Sequence, residues 1–335
     1  MVVDFPKRVV HGGTGKRQQE KTKKKVLDFS ASINPFPPQF EWHCDPDSLI
    51  SYPDDSYYEL KETIAHIFHR NPEEICVGNG SAEIIRVFCS VELGCHGSQK
   101  TFFTEPPTFG EYELSARLAG GEPASDPENA GVRFICNPNN PTGGLLSKEA
   151  ILARLEKAKN CGGMLFCDEA FIELSDPESS VADIHNPHLF VLRSLTKCFS
   201  VPGIRFGYGF GDPGIIERIE TARSPWTVNS YAEAYALQAF HHMEDLAGSR
   251  KKIELERRWL EQELTGIGFL CHPSSVNYLL ADCKRDVSML CKQLSERDIL
   301  VRDCTSFGLP SCIRVAVRTQ DENRILVEAL SACMH

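Results

Sequence analysis

The chain has 335 residues, enough for about two domains at roughly 150 residues each. With 41% of residues hydrophobic and 24% charged, it can bury a large core without covalent staples, which excludes a disordered or collagen-like chain and a minimal binding module. Its 36 Lys and Arg against 46 Asp and Glu give a formal charge of −10, which argues against a nucleic-acid partner and for a small molecule.

The N-terminal stretch opposes the whole: Lys16, Arg17, Lys21, Lys23, Lys24 and Lys25 cluster with almost no apolar residue between His11 and Val26. A short run of this kind reads as a solvated arm. Gly12-Gly13-Thr14-Gly15-Lys16 does not make a phosphate loop, because Val10 stands where its first glycine belongs and Arg17 replaces the hydroxyl residue. The 14 cysteines include no Cys-x-x-Cys, and no signal peptide precedes the first, Cys44. They read as reduced core thiols of a cytoplasmic protein with no metal site. No apolar run approaches the roughly 18 residues of a membrane span.

From Tyr52 onward apolar runs alternate with helical patterns. Leu60 to Phe68 reads as a helix, Ile75 to Val77 as a short strand, and Ser81 to Cys89 as a helix with Ile84, Ile85 and Phe88 on one face. Thr101–Phe103, Val132–Cys136, Met164–Cys167 and Leu189–Leu192 are further buried-strand runs. Past Trp226 the pattern becomes one long helix from Tyr231 to about Leu264. There follow a strand at Val276–Leu280, a helix at Val287–Arg297, a strand at Ile313–Val317, and a last helix carrying Ile325, Leu326, Ala329 and Leu330. The expected fold is α/β: a large domain with a mostly parallel sheet flanked by helices, plus a smaller α+β domain. Its segments would be an arm at 1–35, the large domain at 36–225, and a linking helix with the small domain at 226–335.

Ligands of such sheets gather at the carboxyl ends of the strands. Strand 75–77 runs into Gly78-Asn79-Gly80-Ser81 at a helix start, where backbone N–H groups can meet a phosphate. Strand 132–136 leads to Asn137-Pro138-Asn139-Asn140-Pro141-Thr142-Gly143, and strand 164–167 to Asp168-Glu169. Strand 189–192 leads to Ser194-Leu195-Thr196-Lys197, with Arg205 eight residues later. Hydroxyls flanking a lysine and an arginine close by suit a lysine beside a bound phosphate.

With Val77-Gly78-Asn79-Gly80, Asn139 to Gly143, Asp168-Glu169-Ala170-Phe171, and Ser194 to Lys197 with Arg205, the chain resembles the fold-type I pyridoxal-phosphate enzymes of the histidinol-phosphate aminotransferase group, over about residues 11 to 330. The resemblance implies pyridoxal 5′-phosphate as cofactor, Lys197 as its covalent attachment point and Asp168 facing its ring nitrogen. It assigns the phosphate to Asn79, Gly80, Ser81, Ser194, Thr196 and Arg205, the phenolic oxygen to Asn140, and the ring face to Phe109. Tyr52, in Ser51-Tyr52-Pro53-Asp54, would reach the phosphate of a neighbouring subunit, so the active unit would be a homodimer. Glu169 reads as structural.

Departures within the group bear on the reaction. Aminotransferases of the group usually carry tyrosine where Phe171 stands. The cobalamin-pathway threonine-phosphate decarboxylases resemble this chain there, and also in His11-Gly12-Gly13, Leu27 to Pro35, Pro225 to Asn229 and Arg314 to Arg318. Arg314 and Arg318 would share one strand face and grip a dianionic phosphate, with His11, Asn34 and Asn140 assisting. The resemblance thus implies decarboxylation of O-phospho-L-threonine to (R)-1-aminopropan-2-yl phosphate in the cytoplasm, without membrane or nucleic-acid partners. Alternatives are a histidinol-phosphate aminotransferase, an O-phosphoserine decarboxylase, and a non-catalytic ligand-binding member of the fold.

Overall fold

In a computed structural model, residues 5–95 and 100–334 are described. In chain order the strands are β1 (Leu27–Asp28), β2 (Ile75–Gly78), β3 (Thr101–Thr104), β4 (Glu122–Pro123), β5 (Val132–Cys136), β6 (Met164–Asp168), β7 (Leu189–Ser194), β8 (Gly207–Phe210), β9 (Leu270–Cys271), β10 (Tyr278–Asp282), β11 (Ile299–Leu300), β12 (Arg302–Asp303) and β13 (Cys312–Ala316). The helices are α1 (Gly15–Thr22), α2 (Tyr58–Phe68), α3 (Ser81–Cys89), α4 (Glu111–Leu118), α5 (Lys148–Asn160), α6 (Leu195–Cys198), α7 (Pro213–Ala222), α8 (Ser230–Phe240), α9 (Leu246–Gly266), α10 (Ser288–Glu296) and α11 (Gln320–Met334).

The large sheet has seven strands in the order β2-β8-β7-β6-β5-β3-β4. All pairings are parallel except those of β8, which runs against both β2 and β7. Apolar runs buried on both faces explain the sheet: Val132 and Phe134 enter one core with Phe88 and Phe190, while Ile135 enters the other with Leu155 and Leu165. Strand β8 was not anticipated. Two of its four residues are glycines, because a Cβ at Gly209 would lie 2.6 Å from the Phe190 ring and one at Gly207 would lie 2.5 Å from Ser81 N. The close approaches that require glycine also erase the apolar signal of a strand.

The small domain holds a four-stranded antiparallel sheet, β12-β13-β10-β9. The N-terminal segment is built into it. Strand β1 pairs with β11, Phe29 N–H donates to Leu300 O, Ala316 N–H donates to Phe29 O, and Phe29 is fully buried in the small-domain core. The basic cluster is correspondingly not a free arm: α1 docks through Gln18 Nε2 on Ser295 O at 3.0 Å, and Lys24 lies 3.7 Å from Asp298.

The single long helix expected at 231–264 is two helices, broken at 241–245. Helix α8 packs Ala232, Ala236 and Phe240 into the large-domain core, and α9 then serves both cores, with Leu246 and Ile253 in one and Leu260 and Leu264 in the other. The division between the domains therefore runs through α9 and not before it. Among the described residues the cysteines are free, and eight of them, including Cys76, Cys136, Cys167 and Cys198, are buried. Among the described residues, no helix is long and apolar enough to cross a membrane.

Candidate active site

Strands β2, β3, β5, β6 and β7 run the same way, so their carboxyl ends lie along one edge of the sheet, where ligands of doubly wound folds gather. Asp168 ends β6 and is buried. Its Oδ1 accepts from Ala170 N–H at 2.9 Å and its Oδ2 from the Tyr112 hydroxyl at 2.6 Å. Burial pushes the Asp168 carboxyl up, opposed by those two donors and by the field of Lys197. Lys197 sits on α6, directly after β7, and its backbone carbonyl accepts from Asn34 N–H at 2.9 Å. Burial, helped by the nearby cations Arg314 and Arg205, brings the Lys197 amine down to about 8. An amine held there is neutral often enough near neutral pH to act as a nucleophile.

Close to it, Arg205 meets the Gly78–Ser81 turn and the start of β8. Strand β8 begins with Gly207, paired on one side with Gly78 and on the other with Ser194. A Cβ on Gly80, whose φ is +81°, would lie 2.5 Å from Arg205 Nη2, so the guanidinium lies against the bare backbone of the turn. Arg205 itself has left-handed backbone at φ +65°. Ser194 Oγ and Thr196 Oγ1 are 2.8 Å apart. Asn79 N–H is taken by Glu83 Oε2 at 2.7 Å, and the Glu83 carboxylate also accepts from Thr227. Ser81 opens helix α3, whose first N–H groups face the same space.

On the opposite wall, Phe171 packs edge-on to Tyr278 at 5.1 Å and 78°, and Lys197 Nζ lies 5.8 Å from the Phe171 ring centre. Phe171 thus stands against the lysine with no hydroxyl to donate. The Tyr278 hydroxyl is already spent on Asn139 O at 2.8 Å. Arg314, on β13, lies over the Tyr278 ring at 5.1 Å, donates Nη1 to Asn140 Oδ1 and Nη2 to Ser30 O at 3.0 Å, and leaves Nε with no partner among the described residues. The amide nitrogen of Asn140 has no hydrogen-bond partner among the described residues. Phe109 is partly buried against Tyr112, and His11 lies above it with ring centres 5.9 Å apart. His11 Nε2 is 2.8 Å from Glu111 Oε1, and that contact lowers the Glu111 carboxyl.

Arg318, Asn34 and Tyr52 each have partners of their own. Arg318 lies two residues beyond β13, and its guanidinium is held bidentately by Glu322 at 3.0 and 2.9 Å over the Phe29 ring. Asn34 is close to Lys197, and part of its side chain is engaged in scaffolding. Its Nδ2 donates one hydrogen to Cys198 O at 2.7 Å and its Oδ1 accepts from Phe36 N–H at 2.9 Å, with the residue buried. Tyr52 touches none of the other candidate residues of its own chain. It is 77% exposed and stacked on Trp226 at 4.2 Å.

Sequence reasoning also missed residues. Arg302 is the direct cross-strand partner of Arg314 and is equally buried. It donates to Asp303 O, Val10 O and Ser306 Oγ, and burial pulls its guanidinium below the ordinary arginine value. Among the described residues, neither arginine has a carboxylate partner. Tyr112, which holds Asp168, was within reach of sequence reasoning, since it follows Phe109 by only three residues, at the start of α4.

The residues present fit the cofactor that the motifs imply. Glycine at 80 lets the Arg205 guanidinium lie against the turn where a Cβ would stand, the buried Asp168 lies in the field of Lys197, and the buried Arg314 Nε has no partner among the described residues.

The family model described as aminotransferase class I and II matches residues 24–330. A protein of Caldanaerobacter subterraneus subsp. tengcongensis, provisionally named threonine-phosphate decarboxylase, is 34% identical over 90% of this chain and 88% of its own length. A histidinol-phosphate aminotransferase of Symbiobacterium thermophilum is 30% identical over 85% of this chain and 82% of its own. The solved histidinol-phosphate aminotransferase of Sinorhizobium meliloti, in complex with pyridoxal 5′-phosphate, superposes with a TM-score of 0.84 at 20% identity, covering 99% of this chain and 95% of that one.

Proposed function

Because the chain belongs to the class I and II aminotransferase family, we propose that it decarboxylates O-phospho-L-threonine to (R)-1-aminopropan-2-yl phosphate. Pyridoxal 5′-phosphate is its cofactor and, when bound, supplies the electron sink for the bond broken at the substrate Cα. In this reading Lys197 is the attachment point, and Asp168 faces the ring nitrogen and keeps a proton there. Ser194, Thr196, Arg205 and the Asn79–Ser81 turn hold the cofactor phosphate, Phe109 covers the ring, and the free amide nitrogen of Asn140 meets the phenolic oxygen. Lys197, once free and held near 8, carries the proton that returns to Cα after carbon dioxide leaves.

The observation that carries the reading is the Arg302–Arg314 pair: two buried guanidiniums on adjacent strands, with no carboxylate partner among the described residues. Such a pair suits a dianion, and a phosphate met by two planar donors fixes the rest of the substrate. Arg302 takes the place that Arg318 held in the sequence reading. His11, above Phe109, is positioned to add a third donor. Phe171 supports decarboxylation over amino transfer, because no hydroxyl stands at the lysine to bond the phenolic oxygen. Tyr52 and Trp226, exposed on one patch, suit contribution to a second copy across a dimer interface.

The relatives named histidinol-phosphate aminotransferase favour a second reading, amino transfer from histidinol phosphate to 2-oxoglutarate. One experiment separates them. Holoenzyme is incubated with O-phosphothreonine, O-phosphoserine, and histidinol phosphate plus 2-oxoglutarate, with carbon dioxide and glutamate both followed. Carbon dioxide from phosphothreonine is expected. Glutamate without carbon dioxide overturns the proposal, and faster release from phosphoserine replaces the substrate.

A further inference from the structure

Tyr112 is fully buried, and its ring has no freedom to turn. It stacks on Phe134 with ring centres 5.3 Å apart and planes 7° apart, meets Phe109 edge-on at 5.5 Å, and lies 6.2 Å from Phe166. That packing aims its hydroxyl at Asp168 Oδ2, 2.6 Å away, which is the length of a charge-assisted O–H···O⁻ bond. Ala170 N–H fixes the other oxygen. With one donor on each oxygen, the carboxylate can neither rotate nor relax, and its remaining lone pairs are the ones turned to the pocket.

We propose that Tyr112 is a positioning residue for the cofactor: its hydroxyl holds Asp168 ionised and oriented, and through Asp168 it governs the proton on the cofactor ring nitrogen. The inference rests on Asp168 facing that nitrogen, and it is independent of which reaction follows. A buried carboxylate is pushed toward its neutral form by desolvation, and a neutral Asp168 offers the ring nitrogen no counter-charge. The hydroxyl opposes that push directly. The competing account is packing alone, in which the hydroxyl merely finds a partner in the core.

A cycle of two proteins and two cofactors distinguishes the accounts. Apoprotein with Tyr112 or with Tyr112→Phe, which keeps both ring stacks, is titrated with pyridoxal 5′-phosphate and with the 1-deaza analogue, which has carbon in place of the ring nitrogen. Loss of one charge-assisted hydrogen bond predicts about tenfold or more weaker binding of the natural cofactor and about equal binding of the analogue. Equal losses with both cofactors, or no loss with either, overturn the proposal. In an Asp168→Asn background the same substitution should have no further effect.

A spectroscopic readout covers the case in which Tyr112→Phe fails to fold. With ring-nitrogen-labelled cofactor, nitrogen NMR reports the protonated fraction. Replacing Tyr112 by 3-fluorotyrosine, a stronger donor of nearly the same shape, should move that resonance toward the protonated value. A resonance that does not move, or moves toward the neutral value, also overturns it.

Discussion

Arg302→Gln is the sharpest test of how substrate is recognised. Arg302 now donates to three neutral acceptors, Asp303 O at 2.8 Å, Val10 O at 2.8 Å and Ser306 Oγ at 2.6 Å. An ionised phosphate oxygen replacing one of them gains a charge-assisted bond worth about 1.5–3 kcal/mol. Removing the guanidinium should therefore lower kcat/KM for O-phosphothreonine by about tenfold to about 150-fold. The same variant should barely change the small turnover of unphosphorylated threonine, because the lost partner is the phosphate. Arg302→Lys keeps the charge without the planar fork and should fall between the two. The assay is initial rate of carbon dioxide release over a range of each substrate, with thermal melting to separate folding from recognition. If kcat/KM falls equally for phosphorylated and unphosphorylated substrate, Arg302 is a scaffold for Val10 and Ser306 and the dianion argument fails. Arg318→Gln is the companion control: its guanidinium is held by Glu322, so kinetics should stay within about twofold while stability falls by at most about 1 kcal/mol.

Three further outcomes follow from the geometry. Phe171→Tyr places a hydroxyl beside Lys197 and should raise the ratio of 2-oxo product to carbon dioxide; an unchanged ratio separates that ring from the choice of reaction. Asn34→Ala strips two buried hydrogen bonds at the Lys197 segment and should cost about 2 kcal/mol or more in denaturant unfolding, with KM changed less than about twofold; a raised KM at full stability would restore a substrate role. Lys197 is depressed from 10.5 to about 8 in the folded apoprotein, so between these values the unfolded chain binds more protons and apoprotein stability rises with pH. Melting curves of the wild type should therefore climb relative to Lys197→Met across that window, and parallel curves would refute the assignment.

The strands that build the site were legible because a sheet buried on both faces writes itself as uninterrupted apolar runs, and their ends carried Asn140, Asp168 and Lys197 in the order of the chain. Strand β8 was illegible because Gly207 and Gly209 give up their side chains so that Ser81 and Phe190 can come close. The arginines show the other limit. Alternation through Ile313, Val315 and Val317 puts Arg314 and Arg318 on the face away from the small-domain core, yet Glu322, on the next helix, takes the second guanidinium. The true neighbour of Arg314 stands twelve positions earlier on a different strand, and only hairpin register puts Arg302 there. The break between α8 and α9 carries neither proline nor glycine. It is set by two cores pulling on successive apolar stripes, which no local pattern states.

A net charge of −10 and a site built for anions are compatible because the two act over different distances. Surface carboxylates are screened within about 8 Å at physiological ionic strength, while Arg314 and Arg205 act on Lys197 through protein. Their fields are, after burial, the causes that bring the Lys197 amine down to about 8. In the proposed reading Arg314 therefore has two consequences at once: it would attract the anionic group, and it keeps the lysine neutral enough to attack. Arg314→Gln should separate them. Burial remains, so the Lys197 midpoint should rise above about 8 yet stay below 10.5, read from the pH dependence of covalent uptake of pyridoxal, which lacks the phosphate and so leaves the proposed phosphate site out of the measurement. A midpoint that stays or falls would mean that Arg314 does not act on the lysine. Once an anion sits on Arg314 its field is partly cancelled, the amine becomes the stronger base, and the proton it must hold for Cα is held more firmly while substrate is in place.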